Sequence, residues 1–280
     1  MIEPVTQLTD RAALVRNRAR ASGDLFLHAI ARDEIFSRLS EVNREFTNPA
    51  IVTGHPTAWA GFLPDAKLVE DRPVLEVATG AHDLLIHAMA LHWADDPVGQ
   101  LVQSRRALRP DGLFLGVMLG GQTLAGLRSA LAQAESDIVG GLSPRVLPMA
   151  EIRDLGALLQ RAGFALPVAD SLAQDVSYRD FLALCHDLRA MGESNALANR
   201  SRRPMRRAIL SHAAALYAQH HSDNAGRLTA RYELIFLTGW APDESQPRPL
   251  RPGSAQARLA DALGTRETTL PDSIKIPGSD

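Results

Sequence analysis

The sequence predicts an α/β protein in which a mostly parallel sheet carries helices on both faces. Residues 113–119 form a near-continuous apolar run, which is typical of a central strand buried on both sides. Before this run come an apolar segment at 83–88, a helix that begins at Pro97 with Asp95 and Asp96 as acceptors for its first N–H groups, and a strong turn signal at 110–112. Strand, helix, turn and strand in this order form a parallel crossover unit, which requires a sheet covered by helices.

The N-terminal region, residues 1–45, is predicted to be helical. Arginines between Arg11 and Arg20 indicate a basic helix or arm. Residues 22–43 then carry apolar side chains at helical spacing, and Ser22 and Asp24 are expected to cap this second helix.

Short apolar runs separated by turn residues predict three strands before residue 83, at 50–52, 67–69 and 74–77. After the central strand, the pattern predicts these elements: a helix from Pro148 to Gly163, a strand at 164–169, helices at 178–191 and 203–220, and a strand at 231–238.

These elements predict three regions. The N-terminal helical region is followed by an α/β domain over residues 46–241, with a helical insertion around 172–222. Residues 242–280 are rich in proline and are expected to form an extended tail.

Composition excludes several classes of function. The 280 residues include 30 Lys and Arg against 32 Asp and Glu, a net charge of −2, so no general positive field favours nucleic acid. The basic run at 200–207 is typical of a solvated helix face, with a phosphate or acidic-partner site as the alternative. The single cysteine, Cys185, permits no intramolecular disulfide and indicates a reducing, cytoplasmic location.

No signal peptide or membrane span is predicted. The N-terminus lacks a hydrophobic leader, and the most apolar stretch, 112–121, is too short to cross a bilayer. Any membrane contact is therefore expected to be peripheral.

Several kinds of catalytic or metal site are not expected. Ser143 lacks the glycine elbow of a hydrolase nucleophile, and the sequence contains no glycine-lysine phosphate loop. His82, His87 and His92 recur every five residues, which places them on no common face of a helix or strand. The sequence therefore predicts no metal site.

Segments spread along the chain resemble one known family. Residues 83–93 and 108–114 are similar to the fourth strand, the following helix and the fifth strand of class I S-adenosylmethionine (SAM)-dependent methyltransferases. More specific motifs follow in the order found in the family of the arginine-modifying complex I assembly factor and, more distantly, in malonyl-acyl-carrier-protein methyltransferases. These motifs lie at 120–124, 140–144, 153–156, 191–196 and 244–247, and the resemblance covers roughly residues 8–264.

The resemblance implies a class I methyltransferase-like, Rossmann-like fold with a seven-stranded sheet. It also implies that SAM binds at the carboxyl ends of the first strands. The substrate that it implies is a protein, namely a subunit of respiratory complex I.

Two departures from the family affect the cofactor site. The family carries an acidic residue and a Gly-x-Gly loop after its first strand, where the backbone must approach the cofactor closely. Here residues 53–59 keep Gly54, lack the acid and contain His55-Pro56. Gln122 replaces the aspartate that usually follows the double glycine, and the span before Asp83 is short. SAM binding is therefore either modified or lost.

Four residues are candidates for binding SAM: Thr53, Gly54, Glu70 and His92. Glu70 and the adjacent Asp71 end the second strand, where the family places an acid that binds the ribose hydroxyls. Structural roles are the alternatives. Gly54 then serves a turn, Glu70 is an exposed acid at a strand end, and His92 bonds a carbonyl.

Eight residues are candidates for binding the substrate: Trp93, Gly120, Gly121, Gln122, Ser143, Glu193, Ser194 and Asn195. We predict that their segments converge above the carboxyl ends of the strands, where open α/β sheets bind ligands. In the alternative, Trp93 packs under a helix and the double glycine only frees a turn, with Thr123 capping the next helix. The polar side chains of Glu193 and Asn195 are expected to be exposed. No catalytic residue is identified.

Three functions remain open. The first is a divergent SAM-dependent methyltransferase-like protein that acts on a protein partner in complex I assembly, mainly by aligning the nucleophile with the methyl group. The second is a non-catalytic assembly or binding protein that has lost the SAM site, which the degenerate loop favours. The third is oxidation of an arginine side chain, for which the sequence shows no iron site.

Overall fold

A single sheet organises the computed structural model, which describes residues 7–246. Its six strands are β1 (Pro49–Thr53), β2 (Lys67–Glu70), β3 (His82–Ala88), β4 (Leu108–Leu119), β5 (Ala165–Tyr178) and β6 (Leu228–Trp240). They lie in the order β2-β1-β3-β4-β6-β5. Strands β1 to β5 point the same way, and β6 runs antiparallel between β4 and β5. The predicted mostly parallel sheet, with residues 113–119 inside it, is confirmed.

Helices cover both faces of this sheet. They are α1 (Arg11–Ala19), α2 (Phe26–Glu41), α3 (Pro56–Trp59), α4 (Pro97–Ala107), α5 (Ala125–Val139), α6 (Ile152–Arg161), α7 (Phe181–Ala190) and α8 (Arg207–His221). Helices α2, α5, α7 and α8 share one core with alternate strand residues such as Ile86 and Leu115. Helices α4 and α6 pack on the opposite face against Leu85 and Phe114. The alternation follows from the two-residue period of a strand.

The carboxyl ends of β1 and β3 form the switch point of the sheet. The chain leaves β1 for β2 on one side and then crosses to β3 on the other. Open α/β sheets bind ligands at such a point. Helix α1 lies at this end of the sheet. Its Leu14 packs with Trp93, which belongs to a short 3-10 turn, Leu91–Trp93.

Among residues 7–246 the sheet has six strands, where the resemblance implies seven. Residues 71–81 connect β2 to β3 without a strand or a helix, so the strand predicted at 74–77 is wrong. Val74 is 74% exposed, whereas Leu75 is buried on the α4 side of the sheet. The N–H of Leu75 bonds the side chain of Gln103 at 2.8 Å. In place of a strand, the segment thus contributes the buried Leu75 and the partly buried Val77 to the core on this face.

Residues 172–178, predicted as the beginning of a helical insertion, are the second half of β5. Pairing with β6 continues to Tyr178, which lies opposite Leu228. The side chains alternate between exposed and partly buried along β5, which is the pattern of a strand with one covered face. The helices α7 and α8 occupy only the later part of the predicted insertion.

The predicted helix caps are correct for one helix and wrong for two. Asp96 accepts from the Gly99 N–H at 2.8 Å and caps α4, as predicted. Ser22 and Asp24 do not cap α2, whose N-cap makes no side-chain bond. The hydroxyl of Thr123 bonds the backbone of β6 rather than the start of α5.

The predicted tail lies outside the described residues from 247 onward. Within residues 7–246, no helix is both long enough and apolar enough to span a bilayer.

Candidate functional site

The carboxyl ends of β1 and β2 form the cleft in which the sequence predicts a cofactor. Strand β1 runs into Thr53 and Gly54, and β2 runs into Glu70 and Asp71. A cavity of about 470 Å³ lies between these four residues and α1. We call this region the strand-end cleft.

Arg18 of α1 projects its side chain into the strand-end cleft. The side chain is only 6% exposed, and its Nη1 donates to both carboxylate oxygens of Asp71, at 2.9 and 2.8 Å. Arg11, two turns earlier on α1, donates to the same carboxylate at 3.3 Å. The acid at the end of β2 is therefore held by two arginines of the chain itself.

The N-terminus of α1 is anchored as well. The carboxylate of Asp10 accepts from the Ala13 N–H at 3.0 Å, and Arg200 and Arg202 donate to its other oxygen at 2.9 and 2.8 Å. The backbone bond from Ala13 and the two arginines lower the pKa of Asp10 below its ordinary value. Part of the predicted basic run thus ties α1 to the rest of the fold.

Gly54 makes room for Arg18. A Cβ at this position would collide with the Arg18 guanidinium. Gly192 has a φ of +79°, and a Cβ there would lie 3.1 Å from the Arg18 Cα and 3.2 Å from the His55 Cε1. The surviving glycine of the predicted cofactor loop therefore has a structural explanation in the packing of α1.

The two acids that follow each other at the end of β2 differ in their partners. Burial favours the neutral form of Asp71, but the charges of Arg18 and Arg11 outweigh it and lower the pKa of this carboxyl. Glu70 is 52% exposed and pairs with Arg72 at 2.7 Å. Asp71, rather than the predicted Glu70, is the acid buried in the cleft.

Two buried histidines lie next to Arg18. His28 of α2 packs edge to face on His55, with 4.8 Å between ring centroids, and its Nδ1 accepts from Trp59 Nε1 at 3.0 Å. Burial, and then repulsion by His55, lower the pKa of His28 to about 3. Burial and the charge of Arg18 lower the pKa of His55. At neutral pH, His28 is therefore neutral and adds no second positive charge.

Glu193 is a second buried acid, on the far side of the 3-10 turn. Its Oε2 accepts from Trp93 Nε1 at 2.9 Å and lies 3.5 Å from His92 Nε2. Burial alone would raise the pKa of Glu193, but hydrogen bonding and charge from His92, followed by the charge of Arg18, lower it to about 2. His92 therefore contacts Glu193, although it was predicted to bind the cofactor. The predicted exposure of Glu193 is wrong, since its side chain is only 10% exposed.

The three motif segments meet at the carboxyl end of β4. Asn195 Nδ2 donates to the Pro144 carbonyl at 2.9 Å, which joins segment 191–196 to segment 140–144. Leu124, four residues after Gly120, lines the same cavity as Glu193 and Asn195. Their convergence agrees with the sequence-based expectation. Their role in binding stays a prediction.

Several predicted substrate residues make internal contacts. The Gln122 N–H donates to Glu233 Oε2 at 2.9 Å, and a Cβ on Gly121 would collide with that carboxylate. The Ser143 hydroxyl donates to the carboxylate of Glu135 at 2.8 Å. These contacts hold the loops that carry two of the motif segments in place.

A cavity of about 250 Å³, which we call the apolar cavity, lies between α5, α7 and the end of β4. Trp93 and Glu193 border it on the inside, while the exposed residues Arg189 and Met205 border it on the solvent side. Its walls are formed mainly by Leu27, Leu119, Leu124, Leu127, Leu131, Met149, Leu188 and Met191.

Arg18, His28 and His55 are missing from the sequence-based site. Arg18 and Asp71 are separated by 53 residues, and no motif links them. The basic composition of α1 indicates that arginines are present but not where they point. The signals in the sequence that indicate the position of this cleft are Gly54 after the first strand and the acids Glu70 and Asp71 at the end of the second.

The strand-end cleft does not fit SAM in this arrangement. SAM carries a sulfonium cation, whereas the buried acid of the cleft, Asp71, is already paired with the guanidinium of Arg18 and is not free to neutralise a second cation. Asp71 is engaged by arginines, and Thr53 supplies no carboxylate at the end of β1. Within the described part of the chain, no three His, Cys, Asp or Glu residues are grouped to hold a metal ion.

Comparison with known proteins identifies relatives of the chain. It is 36% identical over 199 residues to the mitochondrial arginine-hydroxylase NDUFAF5 of Danio rerio, covering 71% of this chain and 62% of that protein. The human arginine-hydroxylase NDUFAF5 is 36% identical over 213 residues, covering 76% and 61%. The malonyl-[acyl-carrier protein] O-methyltransferase of Laribacter hongkongensis is 34% identical over 188 residues, covering 67% and 61%. The chain thus spans about three fifths of the length of these relatives. No family model matches it.

Solved structures overlap with the chain in part. The YcgJ protein of Bacillus subtilis has a TM-score of 0.47 and 12% identity, covering 76% of this chain and 99% of that one. Phosphoethanolamine N-methyltransferase 2 of Haemonchus contortus, solved with S-adenosyl-L-methionine, has a TM-score of 0.41 and 10% identity, covering 75% and 53%. By sequence, the chain is a homologue of the arginine-hydroxylase and malonyl-[acyl-carrier protein] O-methyltransferase proteins, and its six-stranded sheet has a methyltransferase-like α/β fold.

Proposed function

We propose that this chain is a methyltransferase-like binding protein that works without SAM. The observation that carries the proposal is the position of Arg18. Its guanidinium lies against Gly54 and pairs with Asp71 in the cleft where the family binds its cofactor.

The energetics of α1 support this proposal. For SAM to take the place of the Arg18 guanidinium, Arg18 must leave the buried carboxylate of Asp71, which then keeps only the longer contacts of Arg11. Breaking a buried ion pair costs about 3–5 kcal/mol. Because each 1.4 kcal/mol changes an affinity tenfold, the apparent affinity for SAM falls roughly a hundredfold or more. The contacts of Asp10 with Arg200 and Arg202 hold α1 in place as well.

The partner in this proposal is a protein, namely a respiratory complex I subunit, with no role for nucleic acid. The contact surface is the exposed rim of the converging segments, where Leu142 is 71% exposed beside Ser143. We propose that the protein acts in the cytoplasm, with peripheral membrane contact at most.

A divergent SAM-dependent transferase is the second candidate. One observation favours this candidate. The cavity of about 470 Å³ borders both Gly54 and Asp71 and leaves room for a ligand beside Arg18. In that case α1 would shift to admit the cofactor.

Titration with SAM and its demethylated product separates the two candidates. A bound ligand raises the melting temperature by mass action. We expect no shift for the wild-type chain at roughly 1 mM SAM, which corresponds to a dissociation constant above that concentration. A clear shift near ~10 µM would reject the cofactor-free proposal and establish the second candidate.

Partner binding is tested with purified complex I subunits and two matched variants. Leu142→Glu places a charge on the proposed surface, and Val168→Glu places one on β5, where Val168 is 54% exposed and pairs with Thr238 away from the carboxyl ends. Interface anchors typically contribute about 2 kcal/mol or more, so Leu142→Glu should weaken binding by at least roughly tenfold. Equal binding by both variants, or equal loss, would contradict this surface.

A further inference from the structure

The apolar cavity has the properties of a ligand site that is separate from the strand-end cleft. Its walls are leucine and methionine side chains from α2, α5, α7 and the end of β4. Close packing leaves few voids of this size in a protein interior, and apolar cavities are suited to apolar ligands.

The size of the cavity limits the ligand. A cavity of about 150 Å³ with apolar walls holds benzene, so a cavity of about 250 Å³ has room for roughly eight to ten carbon atoms. The polar groups on its inner side are already engaged, because Glu193 accepts from Trp93 Nε1 and lies beside His92. The inner end thus offers little to a polar ligand group.

The mouth of the cavity is positively charged. Arg189 lines the cavity and is exposed, and Met205 at the mouth is flanked in sequence by Arg203 and Arg206, which are also exposed. Within the described part of the chain, these three arginine side chains make no hydrogen bond or ion pair. Arg145, which also lines the cavity, is neutralised by Glu135 at 3.0 Å.

We propose that the apolar cavity binds an unbranched aliphatic chain of medium length that ends in a carboxylate. The tail lies among Leu124, Leu127 and Leu131, and the carboxylate lies at the mouth beside Arg189 and the arginines that flank Met205. This inference goes beyond the proposed function, because it concerns a small ligand and does not depend on the state of the strand-end cleft.

The full chain is titrated with hexanoate, octanoate and decanoate, and two readouts are followed. The first is the melting temperature. The second is the rate at which iodoacetamide alkylates Cys185, the single cysteine, which lines the cavity. Since burial raises the pKa of this thiol, alkylation is measured at alkaline pH. Each added methylene should increase affinity about fourfold, and decanoate should slow alkylation of Cys185.

Charge specificity is tested with decylammonium and decanol, which have the same tail as decanoate. Decylammonium should bind at least tenfold more weakly than decanoate. The double variant Arg203→Gln/Arg206→Gln should lose roughly tenfold in affinity for decanoate and little for decanol, because exposed charges each contribute modestly. If decylammonium binds as tightly as decanoate, the anionic head is wrong.

Occupancy of the cavity is tested with Leu127→Phe, which fills it. The matched control is Leu182→Phe, at an exposed position of α7 outside the cavity lining. We expect Leu127→Phe to abolish the effect of decanoate on both readouts and Leu182→Phe to leave it unchanged. Retained binding in Leu127→Phe, or no protection of Cys185 in the wild-type chain, would overturn the proposal.

Discussion

At the carboxyl ends of β1 and β2, charged side chains line the strand-end cleft, with Arg18 against Gly54 and paired to Asp71. At the carboxyl end of β4, leucine and methionine side chains surround the apolar cavity. Both regions lie at the carboxyl-terminal end of the parallel strands of one sheet. The resemblance predicts the cofactor at the first region and the substrate at the second.

The difference between these regions lies in the chemistry of their walls, which are charged in the strand-end cleft and mainly apolar in the apolar cavity. An arginine that supplies charge, hydrogen bonds and volume can occupy a polar cleft, provided that an acid remains to neutralise it. An apolar cavity offers no such partner to a charged side chain. Arg18 therefore occupies part of the strand-end cleft, where the carboxylate of Asp71 neutralises it.

The largest expected effect follows from removing the acid of the first region. Asp71→Ala leaves Arg18 as a buried charge without its partner and should destabilise the fold by about 3–5 kcal/mol. The control is Glu70→Ala, whose exposed pair with Arg72 should contribute less than about 1 kcal/mol. Urea unfolding measures both changes. Similar, small losses in the two variants would show that the strand-end cleft is solvated, and the contrast between the regions would fail.

A smaller difference is expected between two apolar truncations. Ile51→Ala in β1 removes a fully buried side chain and should cost about 4 kcal/mol, whereas Leu127→Ala should cost about 2 kcal/mol. The reason is that Leu127 already borders an open cavity and loses fewer contacts. Thermal unfolding of the two variants in parallel provides the measurement. A larger loss for Leu127→Ala would mean that the cavity is collapsed in solution.

The smallest expected effect is a change in how stability depends on pH. An unfolded Glu193 titrates near 4.5, whereas in the fold its pKa is lowered to about 2. Above pH 4.5, the stability that the buried Glu193 carboxylate contributes is fully present. This stability is lost as pH falls from 4.5 to about 2, because in that interval only the unfolded chain binds the proton.

Glu193→Gln keeps an acceptor for the Trp93 N–H but does not titrate. Its stability should therefore fall less steeply in acid than that of the wild-type chain, as measured by urea unfolding at a series of pH values. If the stability of the two proteins falls equally with pH, Glu193 is solvated in the folded chain. It would then not be buried against Trp93 and His92 at the inner side of the apolar cavity.

Much of the fold could be predicted because its signals are local. The apolar run of β4, the crossover through α4 and the cap at Asp96 each depend on a few neighbouring residues. The failed strand at 74–77 shows the limit of this reasoning. Three apolar side chains among four residues do not form a strand when the connection is short and only Leu75 is fully buried.

The candidate site was predictable only in part, for a related reason. Gly54 and the acids after β2 stand next to strands, so their approximate position follows from the topology of the sheet. The burial of Glu193 does not follow from its polar neighbours. It depends on Trp93 and His92, about one hundred residues earlier in the chain.

By itself, the sequence determined the α/β class, the central strand, the family resemblance and the convergence of the motif segments, since hydrophobic period and turn chemistry act over short distances. Only the tertiary structure decided that Arg18 occupies the strand-end cleft and that the sheet has six strands. Ion pairs join side chains whose distance and direction depend on how separate elements pack. A local pattern cannot encode that geometry.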